Sequence, residues 1–141
     1  MRPLALLPAL VARVVLGARR KERLDALVAE LGGSDVAVGV TGDVRDPESA
    51  SALVAGAVEH FGRLDSFVAN AGVGAYGGIL DCPDDEIRDM IDTNFAGTVW
   101  GVRAAVRQFD AAGDGGRVIR SVGWATSGPE NPSGLRSIRS H

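Results

Sequence analysis

The chain has 141 residues, enough for one ordinary domain, and its 45% apolar and 23% charged residues argue against a disordered protein. A net charge of −3 without a long basic run argues against nucleic acid as a partner. No apolar run approaches the roughly 20 residues that cross a bilayer, so we expect no membrane partner. The single cysteine, Cys82, rules out a disulfide within the chain and favours a cytoplasmic location. No Cys/His cluster has metal-ligand spacing, so no metal is expected.

Strands and helices alternate along the first half of the chain. The segment Arg13–Ala18 predicts a short buried strand, and apolar residues from Leu24 to Leu31 then recur at helical spacing. Two glycines, Gly32 and Gly33, are typical of a helix end, where positive φ is required. Val36–Val40 predicts the second strand.

The second half continues the same alternation. Asp46-Pro47-Glu48 is a helix start, because Asp caps the helix and Pro suits its first position, and this helix should end at Gly62. Leu64–Ala69 predicts the third strand. A loop rich in glycine leads to Pro83, where the longest helix begins.

The longest helix is expected to bury an apolar stripe and to be followed by the fourth strand, Arg117–Ser121. The predicted stripe consists of Ile87, Ile91, Phe95, Thr98, Val102, Ala105 and Phe109. Four alternating strand–helix units indicate an α/β fold with a parallel sheet and helices on both faces. We expect one domain over residues 1–126 and a loose polar tail over residues 127–141.

Open α/β sheets bind ligands at the carboxyl ends of their strands, which directs attention to the residues after each strand. After the first strand, Arg19 and Arg20 are suited to a phosphate group, although a solvated helix start is an equal alternative. After the second strand, Asp43 can accept from an adenine amino group with Val44 against the ring, or it can be an ordinary turn residue.

The third strand is followed by Asn70-Ala71-Gly72, whose small residues allow a cofactor close to the backbone and whose amide can brace neighbouring strands. A plain turn is the alternative. Asn94 lies on the apolar stripe of the longest helix, where an unpartnered amide is costly. We therefore expect it to have a backbone, water or catalytic partner, unless it caps a helix break.

Four of these motifs occur in one order within one strand–helix frame. They are the segment Val14–Arg20, Gly42-Asp43-Val44, Asn70-Ala71-Gly72 and Thr93–Gly97. Together they resemble the short-chain dehydrogenase/reductase family over about residues 11–119. The resemblance implies a Rossmann-type doubly wound sheet and hydride transfer between a nicotinamide and a carbonyl or alcohol.

The resemblance also implies roles for individual residues. Ala18 stands where members that prefer NAD carry an acid and Arg19 where members that prefer NADP carry a base, which implies NADP. Asp43 and Val44 would hold the adenine, and Asn70, Ala71 and Gly72 would brace the sheet beside the cofactor. Asn94 would be the Asn of the catalytic Asn-Ser-Tyr-Lys tetrad.

The sequence departs from the family pattern at three places. The family's first strand and Gly-rich pyrophosphate turn have no counterpart in this sequence. A short helix is expected over Leu4–Val11 instead. No Tyr-x-x-x-Lys motif occurs, since Tyr76 is the only tyrosine and no lysine follows Lys21. Counted without gaps, Gly123 occupies the catalytic Ser position. The resemblance therefore predicts a fragment that lacks the first strand and the last third of the fold, with little or no turnover.

The sequence also allows two other interpretations. The chain can be a catalytically inactive module that binds nucleotide or pairs with another subunit, including a second copy of itself, through the helix face around Ile91 and Val102. It can also be a gene-model artefact, as the change in character after Ser121 suggests. The missing central strand leaves three arrangements: direct pairing of the two strand pairs, a strand from Leu4–Leu10, or a strand from a partner.

Overall fold

The computed structural model describes residues 12–75 and 78–121. The expected helix over Leu4–Val11 and the tail over residues 127–141 therefore lie outside the described residues, as does Tyr76. The elements in chain order are β1 Val14–Ala18, α1 Lys21–Glu30, β2 Ala37–Thr41, α2 Pro47–Phe61, β3 Ser66–Ala69, α3 Asp84–Met90, a π-helical segment Ile91–Ala96, α4 Gly97–Ala112 and β4 Arg117–Arg120. The predicted alternation of strands and helices is confirmed.

Helix α2 begins and ends as its sequence predicts. The Asp46 carboxylate accepts hydrogen bonds from the backbone N–H groups of Glu48 (3.1 Å) and Ser49 (3.2 Å), which satisfies two amides of the first turn. At the other end Gly62 adopts φ 79°, and its N–H donates to the carbonyl of Val58 at 2.9 Å. A left-handed residue of this kind is strained unless it is glycine.

The four strands form two parallel pairs. Strand β1 pairs with β2, from Val14 opposite Ala37 to Ala18 opposite Thr41, and β3 pairs with β4, from Ser66 opposite Arg117. Within the described residues no ladder joins the two pairs, so direct pairing is not the arrangement adopted there. The parallel strands and flanking helices are those of a Rossmann-type α/β fold.

The main core lies between α2, β3 and α4. Val54, Phe67, Ala105 and Phe109 are its buried members. Gly101 allows the close approach of α4 to β3, because a Cβ atom at this position would lie only 2.5 Å from Cζ of Phe67. The two helices and β3 are thereby packed against one another.

The predicted apolar stripe of the longest helix is confirmed at its end and wrong at its start. Ala105 and Phe109 are buried, but Ile91 is 53% and Phe95 is 69% exposed. The helix turns through a π-helical segment at this point, so a spacing derived from 3.6 residues per turn selects the wrong face. The buried residues recur every four positions instead, at Thr93, Gly97, Gly101, Ala105 and Phe109.

Candidate functional site

All candidate site residues except Asn94 lie in the segments that follow strands. Arg19 and Arg20 follow β1, Asp43 and Val44 follow β2, and Asn70-Ala71-Gly72 follows β3. The carboxyl ends of paired parallel strands point in the same direction, so β1 and β2 present their following residues side by side. The register places Ala18 opposite Thr41, immediately before the two candidate turns.

The β1 end carries two exposed cationic side chains. Arg19 and Arg20 are both exposed, and Arg20 is the last residue before α1, where its side chain makes no capping hydrogen bond. Hydrogen bonds from Arg45 are the main reason that the pKa of the Asp43 carboxyl is lowered, and the positive charge of Arg19 adds a smaller effect. The two predicted nucleotide-binding residues therefore lie within electrostatic reach of each other.

Asp43 is held in a turn by a neighbour that the sequence reasoning missed. Its Oδ1 accepts from the backbone N–H of Arg45 at 3.0 Å, and its Oδ2 accepts from Nη2 of the same arginine at 2.6 Å. Hydrogen bonds from the Arg45 guanidinium are the main reason that the pKa of Asp43 is lowered to about 2. The geometry agrees with the turn interpretation of Asp43, while its contact with adenine stays a prediction.

Arg45 also connects the β2–α2 turn to the longest helix. Its Nη1 donates to Oδ1 of Asp89 in α3 at 2.7 Å. The spacing of Asp43 and Arg45, two residues apart in a turn, is a signal that sequence inspection can find. The hydrogen bond between Arg45 and Asp89 cannot be found in this way, since 44 residues separate the two positions.

Val44 packs against the same helix. A Cβ atom at Gly97 would lie 3.0 Å from Cγ2 of Val44 and 3.1 Å from its carbonyl oxygen, so a larger residue would require Val44 to shift. The half-buried Val44 side chain thus anchors its turn on the start of α4. The contact of Val44 with an adenine ring stays a prediction.

Asn94 braces the loop that follows β3. Its Oδ1 accepts from the N–H of Val73 and its Nδ2 donates to the carbonyl of Val73, both at 2.8 Å. The side-chain amide thus pairs with the main chain as a neighbouring strand would, so Asn94 has a backbone partner, one of the three kinds expected for it. Asn70 and Ala71 are exposed, and Gly72 passes close to Asn94, where an added Cβ would lie 3.4 Å from Oδ1.

The π-helical segment explains how Asn94 reaches the loop. The wider turn offsets the residues around Asn94 from the regular helical face, and the hydroxyl of Thr98 donates to the Asn94 carbonyl at 2.8 Å. Segments of this type often occur at functional sites. Apolar periodicity does not predict such a turn.

An open cavity of about 490 Å³ lies beside the braced loop. Its lining residues are Val73, Gly74, Ala75, Asp85, Glu86, Asp89 and Met90. Three carboxyl groups make this wall unsuitable for a phosphate. An anionic group therefore fits better at the β1 end, beside Arg19.

Two further observations concern the part of the chain that the structure describes. No cluster of three His, Cys, Asp or Glu side chains there is arranged to hold a metal ion. No helix there combines the length and the apolar character needed to cross a membrane.

Comparison with known proteins identifies the family. The family model for short chain dehydrogenase matches residues 6–129. The chain is 39% identical over 110 residues to the uncharacterized oxidoreductase YxnA of Bacillus subtilis, covering 77% of this chain and 31% of that protein. It is 38% identical over 115 residues to an L-rhamnose 1-dehydrogenase (NAD(P)(+)) of Azotobacter vinelandii, covering 77% of this chain and 44% of that protein.

Solved structures agree with the sequence matches. A short-chain type dehydrogenase/reductase from Mycobacterium marinum superposes with a TM-score of 0.69 at 29% identity, covering 77% of this chain and 44% of that one. The chain thus spans less than half the length of these three proteins. With a family match over most of its residues and the Rossmann-type architecture described above, the chain belongs to the short-chain dehydrogenase family of oxidoreductases, which use NAD or NADP.

Proposed function

We propose that the chain provides the adenine and ribose-phosphate side of a dinucleotide site, in an oxidoreductase that acts on a small carbonyl or alcohol. One observation carries this proposal: β1 and β2 are adjacent paired strands, and Arg19 and Asp43 follow their carboxyl ends. A cation and a carboxylate at that edge suit the phosphate and the amino group of one adenine nucleotide. The bound nicotinamide supplies or accepts the hydride.

NADP is the proposed cofactor, in preference to NAD. The β1 strand ends at Ala18, which offers no carboxylate to a ribose 2′-hydroxyl, and the exposed guanidinium of Arg19 follows it. A guanidinium presents several donors in a fixed fork and suits a 2′-phosphate. Arg20, on the next position, is proposed as a second donor.

Asn94 is proposed to hold the loop beside the nicotinamide end of the site. Its two hydrogen bonds to Val73 fix the main chain just after Asn70-Ala71-Gly72. The remaining tetrad residues expected from the family pattern have no counterpart in these 141 residues. We therefore propose that the chain by itself binds nucleotide without measurable turnover.

Titration of the purified chain with NADPH and NADH tests this function. We expect NADPH to bind more tightly, and Arg19→Ala to weaken NADPH binding by roughly tenfold while leaving NADH binding within about twofold. Arg13→Ala is the matched control, because it removes the same charge just before the opposite end of β1. Equal effects of the two substitutions, or NADPH-dependent reduction of a carbonyl compound, would contradict the proposal.

A second candidate is pairing with another copy of the chain. Ile91, Phe95 and Val99 lie four residues apart along the longest helix and are 53%, 69% and 40% exposed. An exposed apolar stripe of this kind is typical of a protein interface. Light scattering should give the mass of a dimer or larger assembly, whereas a monomer at all concentrations would contradict pairing.

We also propose a cytoplasmic location for the protein, which cell fractionation tests.

A further inference from the structure

Both carboxylate oxygens of Asp43 accept hydrogen bonds from a single arginine. Oδ1 accepts from the backbone N–H of Arg45 at 3.0 Å and from its Nε at 3.1 Å. Oδ2 accepts from Nη2 at 2.6 Å and also from Nε at 3.1 Å. Three N–H groups of Arg45 therefore engage both oxygens, since the single Nε–H is shared between them, whereas an ionised carboxylate has about four acceptor sites.

Arg45 is itself held in place from the other side. Its Nη1 donates to Asp89 at 2.7 Å, so the guanidinium bridges two carboxylates from different elements. The Asp43 and Asp89 side chains are 30% and 45% exposed, and the Arg45 side chain is 42% exposed. The bridge is therefore accessible to a ligand, and displacing one of its hydrogen bonds does not require the core to open.

We propose that Arg45 masks the Asp43 carboxylate and thereby sets how strongly the site discriminates for an adenine ring. The inference rests on the proposed function, in which Asp43 accepts from the adenine amino group. That hydrogen bond must share Oδ1 or Oδ2 with an N–H group of Arg45 that already donates to the same oxygen, which weakens each of the two bonds. Arg45 is thus a specificity-determining residue that competes with the ligand for the same two oxygens.

Removing the competitor should strengthen recognition of the amino group. In Arg45→Ala the side-chain donors disappear, while the backbone N–H that keeps Asp43 in its turn remains. The lost cation also weakens the attraction of the site for phosphate. Two nucleotides of equal charge are therefore needed to separate these effects.

Adenosine 5′-monophosphate and inosine 5′-monophosphate form such a pair. Inosine carries a carbonyl where adenosine carries the amino group, and the phosphates are identical. The ratio of their dissociation constants is measured by NMR titration of the full chain. We expect Arg45→Ala to raise the preference for the adenosine nucleotide roughly threefold to fivefold, the upper part of the range for one exposed ion pair.

Arg63→Ala provides a matched control. Arg63 likewise pairs with an aspartate two positions away in the sequence, since its Nε donates to Oδ1 of Asp65 at 2.8 Å. This pair lies before β3, at the opposite end of the strand from the candidate site. Its removal should leave the nucleotide preference unchanged. An equal rise in the two variants, or no rise or a fall in Arg45→Ala, would overturn the inference.

Asp89→Asn provides an independent variant that keeps both Arg45 and Asp43. It weakens the far anchor of the guanidinium, so the adenosine preference should rise by less than in Arg45→Ala. If Arg45→Ala does not unfold cooperatively, an unchanged preference in Asp89→Asn overturns the inference. If adenosine monophosphate binds saturably but the substitutions do not change the nucleotide preference, the inference fails and the proposed function stands. If neither the unmodified chain nor any variant binds it, both the inference and the proposed function are overturned.

Discussion

Replacement of Asn94 by alanine should loosen the loop that carries the candidate site. The change removes two hydrogen bonds to the main chain of Val73, each 2.8 Å long. At about 1 kcal/mol net per hydrogen bond, and with Asn94 only half-buried, the expected loss of stability is about 1–2 kcal/mol. For a chain of this size that corresponds to a drop of roughly 3–8 °C in Tm.

Hydrogen exchange at Val73 reports on this brace directly. Loss of the acceptor should accelerate exchange of the Val73 amide by roughly fivefold to thirtyfold, the factor that corresponds to the same free energy. Ser51→Ala is a suitable control, because it removes an exposed hydroxyl that donates to the carbonyl of Pro47 within α2, and it should change stability by less than about 0.5 kcal/mol. Unchanged Val73 exchange in Asn94→Ala would refute the bracing role.

Three further predictions follow from other contacts. The pKa of Asp43 is about 2 in the folded chain and about 3.9 in the unfolded chain. The contribution of the ionised Asp43 to folding stability is therefore complete above about pH 4 and is lost towards pH 2. An NMR titration midpoint near 3.9 in the folded chain would contradict this. Gly101→Ala places a Cβ 2.5 Å from Phe67 Cζ and should lower the free energy of unfolding by about 1–3 kcal/mol despite the better helix propensity of alanine, which chemical denaturation measures. Phe95→Ser should reduce the mass measured by light scattering if the exposed stripe pairs two copies.

Local signals in the sequence were sufficient to place the strands and the regular helices. Asp46 and Gly62 define the ends of α2 through hydrogen bonds to residues only two to four positions away, which sequence reasoning can anticipate. The positions of the candidate residues after β1, β2 and β3 follow from the same alternation. The family pattern then relates them to a nucleotide.

Contacts between distant segments were not predictable from the sequence. The buried face of the longest helix contains Gly97 and Gly101, which carry no apolar side chain and are selected by the close approach of Val44 and Phe67. The π-helical segment removes the regular period on which the predicted stripe depended. Likewise, the pairing of Arg45 with Asp89 depends on how the β2–α2 turn packs on the helix.

Thermal unfolding with and without millimolar NADPH, with NADH as the control, tests the central claim most directly. A ligand that binds only the folded chain at ten times its Kd stabilises it by about 1.4 kcal/mol, which is several degrees in Tm. The proposed site predicts a cooperative transition that NADPH raises more than NADH does. Equal shifts, no shift, or the absence of a cooperative transition would contradict an adenine and 2′-phosphate site formed by Arg19 and Asp43.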